Sequence, residues 1–255
     1  MKLHAHAHRG LPRRIFAFAL FLALIGPRAW ARSPLVDEVN AFSSRYHERL
    51  ASIDTVRDEL RRVARNGADS ADLIAFSMVC FIWGDIRATT IQQKLEAYDE
   101  GRQAAKRAVE MDPRDPAAHF WYGTNTARWG QTRGVVASLF LLPLVRQEIQ
   151  TVLELDPRFT PVYGLAGNLL YEVPPLMGGD VRKAEEMFRE GLKQDSHFTG
   201  LRIGLAKTLI KTGRIAEARN ELQAVLDEKN PRIMGEWVMK DTKEARQLLQ
   251  GLDSN

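Results

Sequence analysis

A reactive or metal-binding centre in this chain would have to be assembled from six histidines, one cysteine and the carboxylates. His4, His6 and His8 alternate with alanine and could hold a metal as an isolated peptide, but they sit in a leader that reads as removed. The other three, His47, His119 and His197, are widely separated. His119 precedes Phe120-Trp121-Tyr122 and reads as a packing or surface residue, with a groove-facing role as the alternative. Cys80 lies inside LIAFSMVCFIW, where a small apolar thiol belongs to a core. Glu185 and Glu186 are adjacent and diverge on a helix, whereas Glu185 and Arg189 stand four apart and form a supporting ion pair. No G-x-S-x-G, H-E-x-x-H, Walker or dinucleotide glycine loop, or C-x-x-C pair occurs. These residues point away from an enzyme, and no catalytic residue, metal site or cofactor is expected.

The leader has its own grammar. Lys2, Arg9, Arg13, Arg14 and Arg28 are the only charges in the first 31 residues. Arg13-Arg14 precede the apolar run IFAFALFLALIG, and Ala29-Trp30-Ala31 supplies an A-x-A cleavage pattern. Twelve apolar residues fall short of the roughly 20 that a spanning helix needs, so export with cleavage after Ala31 is expected. Without those five cations, 31 basic residues face 32 acidic ones, a net of −1. The formal charge of +4 thus belongs to the leader, and nothing favours nucleic acid as a partner. A single cysteine, no N-x-[ST] sequon and no lipid-acceptor cysteine after the apolar run fit a soluble bacterial periplasmic protein.

The elements repeat. Helical patterns stop at EMDPRDP (110–116), ELDPRFTP (154–161), LKQDSHFT (192–199) and DEKNPR (227–232), with spacings of 44, 39 and 34 residues. A ladder of small and large residues precedes each stop. The clearest copy is Ala206, Ala218, Leu222 and Val225, with Gly213 at the turn. Ala184, Phe188 and Gly191 repeat it, as do Gly101, Ala105 and Ala108, with Val145, Ile149 and Val152 as a bulkier version. Small residues at these places let antiparallel helices approach closely. The segment YEVPPLMGGD (171–180) is an insertion between two such helices: Pro174-Pro175 end one, Gly178-Gly179 turn the chain, and Asp180 caps VRKAEEMFREGLK.

On these ladders the chain resembles the tetratricopeptide-repeat family, whose unit is a 34-residue helix–turn–helix. The resemblance implies an all-α array of repeats at roughly 75–113, 116–157, 160–196 and 199–232, after an N-terminal helical pair within 33–66. Asp54 reads as a cap for TVRDELRRVAR. At the far end, MGEWVMK leads into KEARQLLQGL, a capping helix over 241–251 opened by an Asp241/Glu244 box, with Trp237 covering the last repeat. Over roughly 75–230, HFWYG…LELDPRFTPVYGLAGNLLYEVPPLMGGDVRKAEEMF and GLAKTLIKTGRIAEAR look like the T-component family of tripartite ATP-independent periplasmic (TRAP) transporters. That likeness implies a periplasmic scaffold whose partner is the transporter's solute-binding protein.

Two regions are candidates for binding. Stepping along the first helix of each pair, opposite the packing residues, gives Phe120, Trp121, Thr124, Arg128, Asn168, Tyr171, Lys207 and Lys211 as a concave face for a peptide segment or an anionic group. The run VVASLFLLPLV (135–145), in the long insertion of the second repeat where ordinary repeats have a short turn, reads as buried core, with an oligomer interface or a pocket for a small hydrophobic, lipid-like ligand as alternatives. Pro143 is expected to kink or end its helix. A homo-oligomer is left open.

Overall fold

The computed structural model describes residues 34–254. The leader and its cleavage point lie outside them. Two N-terminal helices, α1 (Pro34–Phe42) and α2 (Leu50–Arg65), lead into four helical hairpins. These are α3 (Ser70–Ile86) with α4 (Ile91–Met111), α5 (Pro116–Arg133) with α6 (Val135–Leu155), α7 (Pro161–Glu172) with α8 (Val181–Gln194), and α9 (Thr199–Lys211) with α10 (Ile215–Asp227). A strap follows, one turn of α11 (Met234–Glu236) continued by a π-helical turn (Trp237–Asp241) into α12 (Thr242–Asp253). The fold is all-α, an irregular tetratricopeptide-like array.

Local chemistry starts the helices. Asp69 and Asp72 form a reciprocal capping box on α3, and Thr90 and Gln93 do the same on α4. Asp115 accepts from the first backbone N–H groups of α5, whose first residue is Pro116, and Asp180 accepts from those of α8. Between α7 and α8, Gly178 has φ +87°, and a Cβ at Gly179 would overlap the Val173 carbonyl. That insertion is a loop, as its prolines and glycines demand.

Packing runs neighbour to neighbour, in three core clusters along the array. Phe188, 1 % exposed, is wedged where Cβ atoms at Gly167 of α7 and Gly204 of α9 would collide with its ring. Gly84 lies against the Tyr98 ring in the same way. A polar knot joins the first two hairpins: Ser77 donates to the Gly101 carbonyl (2.8 Å), and the Asn125 amide donates to Ser77 Oγ (2.9 Å). Cys80 is fully buried and its thiol is pushed up to about 12 by burial, so it is a core residue.

Five expectations are corrected. Asp54 caps nothing: α2 starts at Leu50, and the Asp54 carboxylate accepts from Trp83 Nε1 and Arg87 at 2.6 Å each. Asp241 is not a cap either, because the helix runs through it; buried at 6 % exposure, it accepts from Thr199 Oγ1 at 2.7 Å. The surplus residues of the second hairpin lengthen both arms instead of the turn, which is the single residue Gly134 with φ +116°. Pro143 neither ends nor splits α6. The run 135–145 is not a buried core: Leu142 and Val145 are inside, while Val135, Val136 and Phe140 are 74, 69 and 82 % exposed.

Candidate binding groove

The inner faces of α3, α5 and α7 form a groove of about 300 Å³, crossed by the strap. Its apolar walls are Phe81, Phe120, Trp121, Leu165 and Phe198, and the strap contributes Ile233, Glu236 and Lys240. The strap is held from both ends of the array. Gly235 N–H donates to the Ser44 carbonyl (2.8 Å), its Cα lies against the buried Tyr46 ring, and Trp237 Nε1 donates to the Val225 carbonyl (2.7 Å).

At one side of the groove is Asp85, whose carboxylate is 4 % exposed. It accepts from the Tyr98 hydroxyl (2.6 Å), from Lys240 Nζ (2.9 Å) and from Arg128 Nη2. Burial alone would raise this carboxyl, but Lys240 and Arg128, with the Tyr98 hydrogen bond, outweigh it and bring it down to about 2. Burial and the Asp85 charge push the Tyr98 phenol up in turn. Glu236 faces the opposite balance. Burial, aided by Asp241 and Asp85, outweighs Lys240 and Arg128 and lifts its carboxyl to about 7. Near neutral pH this side of the groove therefore holds the Asp85 anion between two cations, beside a carboxyl poised to ionise.

Five of the eight residues expected on the concave face line this groove: Phe120, Trp121, Thr124, Arg128 and Asn168. Their exposure differs. Phe120 is 9 % exposed and belongs to the core, edge-on to Trp121 (5.0 Å) and tilted against Phe159 (5.2 Å). Trp121 is half-buried beside Phe81 at 5.6 Å, and Asn168 is exposed. Thr124 Oγ1 and Arg128 Nε are buried with no hydrogen-bond partner. The other three lie elsewhere. Lys211 sits over the Tyr171 ring at 4.5 Å and Lys207 pairs with Glu244 of α12, so the last two hairpins spend these lysines on each other and on the cap.

Sequence reasoning missed Asp85, Phe81, Phe198, Glu236 and Lys240. Asp85 follows Trp83-Gly84 and carried a signal, an acid directly after the apolar run LIAFSMVCFIW. The strap residues carried none, because 155 positions separate Lys240 from Asp85. His119 is in neither groove nor surface. It is buried, with Nε2 3.0 Å from the Pro113 carbonyl and Nδ1 2.6 Å from the Glu148 carboxylate.

A second cavity, also about 300 Å³, lies between α5, α6 and the start of the 173–178 loop, walled by Leu139, Leu141, Leu142, Leu169 and Val173. Among the described residues no cluster of three His, Cys, Asp or Glu side chains could hold a metal.

A family model described as regulator of microtubule dynamics protein 1-3 matches residues 36–194, and a tetratricopeptide-repeat model matches 176–233. No curated protein matches the chain. Among solved structures, TTC0263, a thermophilic tetratricopeptide-repeat protein of Thermus thermophilus, superposes with a TM-score of 0.62 at 16 % identity, covering 85 % of this chain and 98 % of that one. MamA (residues 41 to the end) from Desulfovibrio magneticus RS-1 gives 0.48 at 16 % identity, covering 77 and 96 %. YrrB, described as a tetratricopeptide protein with an unusual peptide-binding site, gives 0.46 at 13 %, covering 85 and 91 %. The likeness to TTC0263 shows the fold.

Proposed function

The chain belongs to the family described as regulator of microtubule dynamics protein 1-3, and from that premise we propose that it is an exported scaffold whose groove takes an extended segment of a partner protein. One observation carries the proposal. Half-buried Trp121 stands in the groove wall with Phe81 and Phe198, and exposed Asn168 and half-buried Arg128 lie along the same groove. Aromatic surfaces of this kind take a partner's side chains, and the amide and guanidinium can donate to its backbone carbonyls. The family's description speaks of microtubules, which an exported chain does not meet. The likeness to T-component proteins names a solute-binding subunit as the partner, and the leader's A-x-A pattern supports the periplasm.

The test is capture from a periplasmic extract by the native chain and by Trp121→Ala, with retained proteins identified by mass spectrometry. A solute-binding subunit held by the native chain and lost from the variant is expected. Equal retention would remove the groove from the reading, and absence of such a subunit would remove the partner. A second reading, carriage of a small apolar ligand, is favoured by the leucine-walled cavity behind α6; native mass spectrometry of the purified chain would show the co-purifying mass.

A further inference from the structure

Outside the groove, the corner where α5 turns into α6 exposes apolar side chains in a way no packing requirement explains. Val135, Val136 and Phe140 are 74, 69 and 82 % exposed. The 173–178 loop runs beside this arm, since Pro174 and Leu139 wall the same cavity and Arg146 donates to the Met177 carbonyl at 2.6 Å. At the loop's tip Leu176 is 99 % exposed, so it stands free of the fold. We propose that this corner docks on a bilayer surface carrying anionic headgroups, with Val136, Phe140 and Leu176 entering the headgroup layer. The proposal does not depend on the groove or on what fills it.

Charge selects the occupant. Residues 116–147 contain Arg128, Arg133 and Arg146 and not one acid. Arg128 is spent inside on Asp85, which leaves Arg133 and Arg146 exposed beside the apolar side chains. Two acids nearby keep their charge, Glu172, which accepts from the Gln131 amide (2.7 Å), and Asp180, which caps α8, but neither lies on the α5–α6 arm that carries the apolar side chains. Trp129, just before the turn, lies under both Arg133 (5.2 Å) and Arg102 (4.9 Å), an amphipathic ring and cations of the kind that settle at a membrane interface. A second copy of the chain fits less well, because a two-fold contact through this corner brings Arg133 and Arg146 against themselves. Nor does α6 span a bilayer. It is long and apolar enough by composition, but Val145, Ile149 and Val152 are core and Glu148 is paired with His119. Only the exposed first half is free to enter lipid. Modest apolar insertion and a few cations are each weak alone and reinforce one another.

An environment-sensitive dye on a cysteine introduced by Val136→Cys tests this in the full chain, with Gln223→Cys on α10 as the distant control. Cys80 is fully buried and stays unlabelled. The leader is common to both labelled forms, so its own affinity for lipid does not distinguish them. Vesicles of phosphatidylcholine alone are compared with vesicles of equal parts phosphatidylcholine and phosphatidylglycerol. The expected result is a blue shift at position 136 with the anionic vesicles and none at 223. Adding Phe140→Asp should abolish the shift, and Arg133→Gln and Arg146→Gln should each weaken it about fivefold. No shift on either vesicle, an equal shift on both, or one that matches at 223 overturns the proposal. So does a shift that grows with protein concentration in the absence of vesicles, which would assign the corner to self-association.

Discussion

Asp85 holds a nearly inaccessible carboxylate against two cations and a phenol, and its loss should be felt in stability before function. Asp85→Asn takes the shared anion from Arg128 and Lys240, which at 39 and 40 % exposure keep part of their hydration; the cost is about 2–3 kcal/mol, which a urea melt would register. Arg128→Ala is milder, about 1–2 kcal/mol, because Lys240 still serves Asp85 and the guanidinium is partly exposed. Arg128 is therefore a poor probe of the groove on its own. Trp121 and Asn168 are better ones. Trp121→Ala is expected to weaken partner capture by about 2 kcal/mol, roughly thirtyfold, and Asn168→Ala should leave the melt within about 0.5 kcal/mol of native. Binding titrations alongside thermal melts separate the effects. If Trp121→Ala melts as early as Phe188→Ala, Trp121 is a packing residue and the groove loses its anchor.

At the scale of elements, each hairpin closes on a small residue that accepts a large one. Phe188 between Gly167 and Gly204 is the tightest case, and Phe188→Ala should cost about 3–5 kcal/mol, since helices α7, α8 and α9 cannot collapse onto the void together. The strap is held differently, by Gly235 lying against the buried Tyr46 ring where a Cβ would come within 2.7 Å. Gly235→Ala must push that ring or lift the strap, an overpacking cost of about 1–3 kcal/mol. Hydrogen exchange should then quicken at 233–241 and at 44–49 together. Faster exchange confined to one of the two segments would show that they are not clamped to each other.

For the whole molecule, the strap ties the C-terminal end of the array to the Ser44–Tyr46 segment between α1 and α2, and the charges beside it make the fold's stability depend on pH. Glu236 is raised from its ordinary value to about 7 in the fold, so between about pH 4.5 and 7 the fold holds a proton that the unfolded chain has released. Stability contributed there is full below that window and is lost as pH rises through it. Asp85 works in the other direction. Lowered to about 2, it contributes stability above about pH 4 that is lost as pH falls towards 2. Melting temperatures across this range should peak near pH 5, and Glu236→Gln should flatten the decline towards neutral pH. An unchanged decline in that variant would show that Glu236 does not govern it.

The four hairpins, the Asp180 cap and the 171–180 loop were legible in the sequence because their causes are local. Asp180 and the Gly178-Gly179 turn act within a few residues of themselves, and the small and large residues of the ladders, Phe188 among them, announce a close approach by size alone. The Asp54 and Asp241 misreadings mark the limit, because a carboxylate at a plausible cap position has no local sign of a partner dozens of residues away. Half of the groove was readable for the same reason: α5 displays Trp121, Thr124 and Arg128 along one helical face. The other half was decided only by tertiary structure. Superhelical closure, not chain proximity, brings Lys240 and Glu236 over Asp85. The exposure of Val136 and Phe140 likewise depends on which neighbour reaches the far end of α6, and apolar composition reads the same whether such a helix is covered or bare.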